Sequence, residues 1–226
     1  MLYLVPTPIG NLEDITMRAL KVLREVDLIA CEDTRTSSKL LNHYDIKTPK
    51  TSYHDHNERQ KTPHLIQKMK AGSDVALISD AGSPAISDPG FYLVRACREA
   101  DIDVIALPGP TALIPALTQS GLPANRFTFE GFLPVKKGRQ TRLSELKDES
   151  RTMIFYESPH RIVKTLRQLE EVFGADRPAA VARELTKAFE ETQVATLSEL
   201  RKLFEVQNKV RGELVIVVEG SKKNQK

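Results

Sequence analysis

Val75-Ala-Leu-Ile-Ser-Asp-Ala-Gly-Ser-Pro84 is a continuous apolar run that stops at a serine and an aspartate and breaks into a glycine/proline turn. A strand with one wet face alternates apolar and polar residues. This run does not alternate, so it predicts a strand buried on both faces of a helix-covered parallel sheet. A helix is expected from about Gly90 to Ala100. The same unit recurs on either side. Leu2–Val5 is followed by Pro6-Thr-Pro-Ile-Gly-Asn11 and a helix starting near Asp14, with Ile15, Ala19, Val22, Leu23 and Val26 at helical spacing and Asp14 as a suitable N-cap. Val26–Cys31 is closed by Glu32-Asp-Thr-Arg35 before another helical segment. Val104–Leu107 ends in Pro108-Gly-Pro-Thr111 and leads into a helix reaching about Ser120. Repeated strand–loop–helix units predict a parallel sheet with crossover helices, here an N-terminal α/β domain over residues 1–116.

After Gly121-Leu-Pro123 the pattern changes. Phe127–Glu130 reads as a strand, followed by a Gly/Pro/Lys loop and a polar helix from about Arg139. Thr152–Tyr156 is a further strand, and Pro159 to Phe173 a helix with proline near its first turn. Ala179–Glu184, Gln193–Thr196 and Leu214–Glu219 complete a second group, and Ser221–Lys226 is a polar tail. These elements predict a C-terminal α/β domain with a mixed sheet over residues 117–226. Two α/β domains in close succession predict a cleft between them.

Composition excludes several classes. The 226 residues are 40% hydrophobic and 28% charged with a formal charge of +3, which rules out disorder, a collagen-like fibre and a coiled-coil rod. The N-terminus has no basic region, Pro6 interrupts its apolar run, and no apolar stretch nears the ~18 residues that span a bilayer. A cytoplasmic protein without a membrane partner is expected, with Cys31 and Cys97 as reduced thiols.

The segments that point to chemistry lie just past the ends of the predicted strands, where open parallel sheets bind ligands. They are Pro6–Gly10, Ser79–Pro84, Ser87–Gly90 and Pro108–Ala112. Neither G-x-G-x-x-G nor a P-loop is present, which disfavours a dinucleotide enzyme or an ATPase, and no G-x-S-x-G marks Ser83 as a nucleophile. His54-Asp-His56 lacks a third ligand at metal spacing, so no metal is expected. Glu32-Asp-Thr-Arg35 reads equally as cleft-facing charge and as a helix start with acids at its positive end. Lys136, Lys137, Arg139 and Arg142 form a basic cluster that suits phosphates as well as a solvated helix start, but a net charge of only +3 does not by itself announce a nucleic-acid binder, and no DNA partner is expected.

Taken in order, further motifs extend the reading. Leu4-Val-Pro-Thr-Pro-Ile-Gly-Asn-Leu-Glu-Asp-Ile15, Glu32-Asp-Thr-Arg35, His54-Asp-His-Asn57, Ser79-Asp-Ala-Gly-Ser-Pro84, Asp88-Pro-Gly90, Leu107-Pro-Gly-Pro110, Glu130-Gly-Phe-Leu-Pro134, Phe155-Tyr-Glu-Ser158 and Arg183-Glu-Leu-Thr-Lys187 stand in the order of one family. The chain resembles the ribosomal RNA small subunit methyltransferase I family of the tetrapyrrole methylase superfamily, from Leu2 to Gly220. The resemblance implies two α/β domains with S-adenosylmethionine in the cleft between them. It also implies 2′-O-ribose methylation of a cytidine in the decoding region of 16S ribosomal RNA, the small (30S) subunit as partner, and a homodimer. Family members usually continue past the last strand with a short helical region, whereas this sequence stops at Lys226.

Carried over by motif, Pro8 belongs to the first cofactor loop. Asp80, Ala81, Gly82, Ser83 and Ile86 belong to the second, and Thr111 and Ala112 to the third. Phe155, Tyr156 and Leu185 come from the second domain. A ribose hydroxyl is a weak nucleophile, so a base or acceptor is expected near it. The candidates are Asp33, His54, Asp80, Glu184 and Lys187, with Asp33, His54 and Lys187 put first as catalytic. Lys136, Lys137, Arg139 and Arg142 are the expected RNA contacts, with Arg35 and Arg59 as further ones. Competing readings are a tetrapyrrole C-methyltransferase and a non-catalytic ribosome-associated RNA-binding protein.

Overall fold

In the computed structural model, which describes residues 1–207 and 209–222, the chain divides into two units, Met1–Thr111 and Ala112–Lys226. The remainder of the polar tail, 223–226, lies outside the described residues.

The first unit is one parallel sheet in the order β3-β2-β4-β1-β5, made of β1 (Leu2–Leu4), β2 (Leu28–Cys31), β3 (Lys50–Ser52), β4 (Val75–Ile78) and β5 (Val104–Ala106). Every residue of β4 is buried, and its side chains alternate between two cores. Ala76 and Ile78 join Val5, Ile15, Leu20, Leu23 and Leu41, which lie around α1 (Met17–Glu25) and α2 (Thr34–His43). Val75 and Leu77 join Leu2, Leu65, Leu93 and Cys97, the last three on α3 (Glu58–Lys70) and α4 (Phe91–Glu99). The uniform apolar run is the sequence image of a strand with helices on both faces. Cys31 and Cys97 are buried free thiols in different cores, which excludes a bond between them.

The second unit opens with α5 (Leu113–Gln119). Its mixed sheet has the order β6-β7-β10-β8-β9: β6 (Phe127–Phe132), β7 (Thr152–Glu157), β8 (Pro178–Arg183), β9 (Glu191–Thr196) and β10 (Leu214–Val218). Only β6 and β7 run parallel; the other pairs are antiparallel. α6 (Arg139–Glu145), α7 (Ile162–Phe173) and α8 (Leu197–Glu205) bury Leu143, Leu166, Leu169, Leu200 and Phe204 against Met153, Phe155, Val181 and Ile216. α5 packs on β10 and β8, and this is why the division falls at Thr111/Ala112 rather than at the expected 116/117.

One other expectation changes, and three elements appear that the sequence reading did not name. Thr16, not Asp14, caps α1, because its hydroxyl accepts the Ala19 N–H at 3.0 Å while Asp14 ends a 3-10 turn. β3 and α3 carry no clear sequence signal: the strand is three residues at a sheet edge, and the helix is polar with Pro63 inside it. α8, by contrast, starts with a full capping box, Thr196 and Glu199 bonding each other's backbone N–H groups. Thr196→Ala should therefore lower stability by about 1 kcal/mol, read from the midpoint of chemical unfolding at unchanged slope.

Candidate functional site

The direction of the connections sets where a site can form in the first unit. The chain leaves β2 toward β3 and leaves β4 toward β5, so from these neighbouring strands it departs in opposite directions. Such a switch point opens a crevice at the carboxyl ends of the two strands. Glu32 and Asp33 follow β2, and Ser79 and Asp80 follow β4. The two ends clasp each other. A Glu32 carboxylate oxygen accepts the Asp80 N–H at 3.2 Å, and a carboxylate oxygen of Asp80 accepts the Asp33 N–H, also at 3.2 Å.

Asp33 has two tasks. It caps α2 by accepting the Arg35 N–H at 2.8 Å, and it holds the Arg35 guanidinium through bonds of 2.8 and 3.2 Å. Hydrogen bonds from the Arg35 side chain and backbone bring its pKa down to about 2. Its neighbours behave in the opposite way. Burial pushes the carboxyls of Glu32, Asp80 and Asp88 up, with Asp33 adding repulsion at Asp80. Among the described residues, no lysine or arginine forms an ion pair with these three.

The glycine loops lie beside this clasp. Thr7 and Gly82 exchange backbone hydrogen bonds of 2.9 Å each, the Thr7 hydroxyl donates to the Ser79 carbonyl at 3.0 Å, and Ser83 donates to the Pro110 carbonyl at 3.2 Å. The ends of β1, β4 and β5 are thereby tied into one surface. Gly82 is buried at φ +82 with its N–H engaged, so it shapes the loop. Ala81 and Ile86 are exposed, and Pro8, Thr111 and Ala112 are half-buried. Gly90 likewise shapes the loop: at φ +143, an added Cβ would lie 2.8 Å from Leu77 Cδ2.

His54 follows β3 on the same side of the sheet. Its Nε2 pairs with the Asn57 amide at 3.0 Å, and its Nδ1 is buried without a partner. No metal-binding group of His, Cys, Asp and Glu exists among the described residues.

In the second unit, Lys187 Nζ donates to Glu184 at 2.9 Å and to Glu213 at 3.1 Å. Burial works against this ammonium, but the two hydrogen bonds outweigh it and raise its pKa, while Glu184 is held low mainly by Lys187. Glu184 (φ 52) and Thr186 (φ 68) are both left-handed around Leu185, backbone strain of a kind that collects at functional loops. Gly212 suits this position because its φ of +87 is one that L side chains rarely adopt, and an added Cβ would also displace the Glu184 side chain. Glu213 carries no sequence signal, since only the pairing of β8 with β10 brings it to Lys187.

Two expectations need correction. Arg139 is 5% exposed, and its guanidinium donates to Gln168 and Thr165 at 2.7 Å beside Glu157, so it cannot meet RNA. Phe155 is fully buried in the core, leaving only its backbone for a ligand, whereas Tyr156 is half-buried and stacks edge-on with Phe129. Of the other proposed RNA contacts, Arg142 is paired with Glu130 and Glu145, Arg35 is paired with Asp33, and Lys136, Lys137 and Arg59 are exposed.

A family model described as Tetrapyrrole (Corrin/Porphyrin) Methylases matches residues 1–201. The chain is 54% identical over 226 residues to the ribosomal RNA small subunit methyltransferase I of Haemophilus influenzae, covering 99% of this chain and 80% of that one. Its fold is similar to that of the methyltransferase CobJ, with a TM-score of 0.72 at 18% identity over 97% of this chain and 94% of that one. It is also similar to a uroporphyrin-III C-methyltransferase from Thermus thermophilus complexed with S-adenosyl homocysteine. There the TM-score is 0.65 at 20% identity, over 96% of both chains.

Burial disfavours the ionised form of Asp80 in the folded state, so its folded pKa lies above its unfolded one. A carboxyl shifted in this direction loses native stability as pH rises through the folded value. Asp80→Asn keeps an acceptor for the Asp33 N–H and removes that dependence. The stability of this variant relative to wild type should grow between about pH 4 and neutrality, read by denaturant titration at several pH values.

Proposed function

The chain belongs to the tetrapyrrole methylase family, in its ribosomal RNA small subunit methyltransferase I group, and on that premise we propose that it methylates ribosomal RNA with S-adenosylmethionine as donor. The finer reaction proposed is 2′-O-ribose methylation of a cytidine in the decoding region of 16S RNA, with the 30S subunit as partner and a cytoplasmic homodimer as the working form.

The observation that carries the reading is the pair of carboxylates, Glu32 at the end of β2 and Asp80 at the end of β4, that have no cationic partner among the described residues. Acids at a crevice, partly desolvated and without a counter-charge among the described residues, suit a ligand that brings positive charge, and S-adenosylmethionine carries an ammonium and a sulfonium. When bound, it supplies an electrophilic methyl carbon and a neutral leaving group. In the first unit, Pro8, Asp80, Ala81, Ser83, Ile86 and Thr111 are the residues proposed to hold it, with Gly82 shaping their loop. In the second unit these are Ala112, Tyr156, Leu185 and the backbone of Phe155.

The roles of the polar groups follow from their bonds. Asp33, held ionised by Arg35, is a weak base and acts by steering that guanidinium toward the RNA backbone. Lys187 is already protonated and acts as a fixed positive charge. His54 has one ring nitrogen on Asn57 and the other buried, so it holds its loop. Asp80, at the end of β4 with no lysine or arginine paired to it among the described residues, is left as the acceptor for the ribose hydroxyl proton.

The test is labelled methyl transfer to 30S particles, with a porphyrinogen substrate alongside and the product mapped by its resistance to alkaline cleavage. Asp80→Asn should lower kcat by about 10²–10⁴. Alanine at Asp33, His54 or Lys187 should lower turnover by roughly tenfold, as expected of groups that orient. Transfer to the porphyrinogen, or to a base instead of a ribose, would overturn the reading. Normal turnover in all four variants would overturn the assignment of roles. Light scattering should show a dimer at micromolar concentration.

A further inference from the structure

Phe132, at the end of β6, is 54% exposed, and Lys136 and Lys137 stand exposed just after it. Three features hold this group in place. A register shift between Phe129 and Gly131, with Gly131 at φ 59, breaks the alternation of the strand. In a regular strand, residues 129 and 132 would point to opposite faces. Here both rings meet Tyr156, with centroids 4.9 and 5.6 Å away at interplanar angles of 70° and 64°. Next, the buried Arg139 donates to the carbonyls of Leu133 and Pro134 at 3.5 and 3.2 Å, which fixes the loop stem to the core. Finally, charge is apportioned within the basic cluster. Arg139 serves the interior and Arg142 is paired with Glu130 at 2.6 Å, whereas Lys136 and Lys137 form no ion pair among the described residues.

An exposed aromatic ring on a rigid stem beside two unpaired ammonium groups complements unpaired nucleic acid. The ring offers a stacking surface for a base, and the lysines meet the flanking phosphates. A duplex would not present a base face, and an ordinary protein surface would bring no phosphate to the lysines. We infer that Phe132 is the stacking platform for an unpaired base of the RNA substrate, with its flanking phosphates on Lys136 and Lys137. This rests on the ribosomal RNA reading above and assigns that substrate a subsite on the second unit.

The experiment measures binding to 30S particles across a salt titration for wild type, Phe132→Ala, Phe132→Tyr and the Lys136→Gln/Lys137→Gln pair. S-adenosylmethionine calorimetry and light scattering are run on each. Phe132→Ala should weaken binding roughly tenfold and Phe132→Tyr should retain it. The lysine pair should flatten the plot of log affinity against log salt by about 0.7 per residue. Cofactor affinity should stay unchanged throughout. Wild-type affinity in Phe132→Ala, or equal loss in the alanine and tyrosine variants, would overturn the subsite while leaving the ribosomal RNA reading intact. Conversion of a dimer to a monomer by Phe132→Ala would overturn it by assigning this face to a second copy of the chain. Absence of 30S binding by the wild-type protein would overturn both.

Discussion

Burial of β4 on both faces is the constraint on which the first unit depends. Four consecutive buried residues leave no polar side chain on the strand, so its backbone must be paired on both edges, by β1 and β2. Polar chemistry can then begin only where the strand stops, at Ser79 and Asp80. With β1 and β5 beside it, the ends of three adjacent strands deliver three glycine/proline loops to one edge. The hydrogen bonds of Thr7 with Gly82 and of Ser83 with Pro110 join those loops. The position of the candidate site is thus a consequence of where the apolar run ends.

The two units treat charge differently. In the first, Glu32 and Asp80 at the strand ends and Asp88 in the loop before α4 are partly desolvated carboxylates that pair with no lysine or arginine among the described residues, an arrangement that favours capture of a cation. In the second, several acids are matched. Glu157 lies between Arg139 and Arg161, Lys187 between Glu184 and Glu213, and Arg201 between Glu170 and Glu205. Paired charges of this kind hold loops in a set conformation, as Arg139 does for Leu133 and Pro134. They contribute little to stability where they are exposed.

Much of the fold and part of the candidate site are legible in the amino-acid sequence. Continuous apolar runs announce β2 and β4, Gly90 and Ala100 bound α4, and the Gly/Pro loops mark the ligand-bearing end of the sheet. The motif order identifies the family. β3 and α3 are not legible, because a three-residue edge strand and a proline-containing polar helix lack the periodicity that gives other elements away. The basic cluster from Lys136 to Arg142 misleads for a related reason. Four cations close in sequence look alike on paper, and nothing local records that Arg139 points inward to Thr165 and Gln168.

Hydrophobic pattern, turn chemistry and motif order are local properties of the chain. They suffice to say which segments are buried, where their loops lie and which family the chain joins. What each polar group is free to do is settled only in three dimensions. The clasp of Glu32 with Asp80, the capture of Lys187 by Glu213 and the meeting of Phe129 and Phe132 on Tyr156 join residues from different strands or across a bulge. Protonation, exposure and reach depend on those neighbours, and the neighbours exist only once the strands have paired.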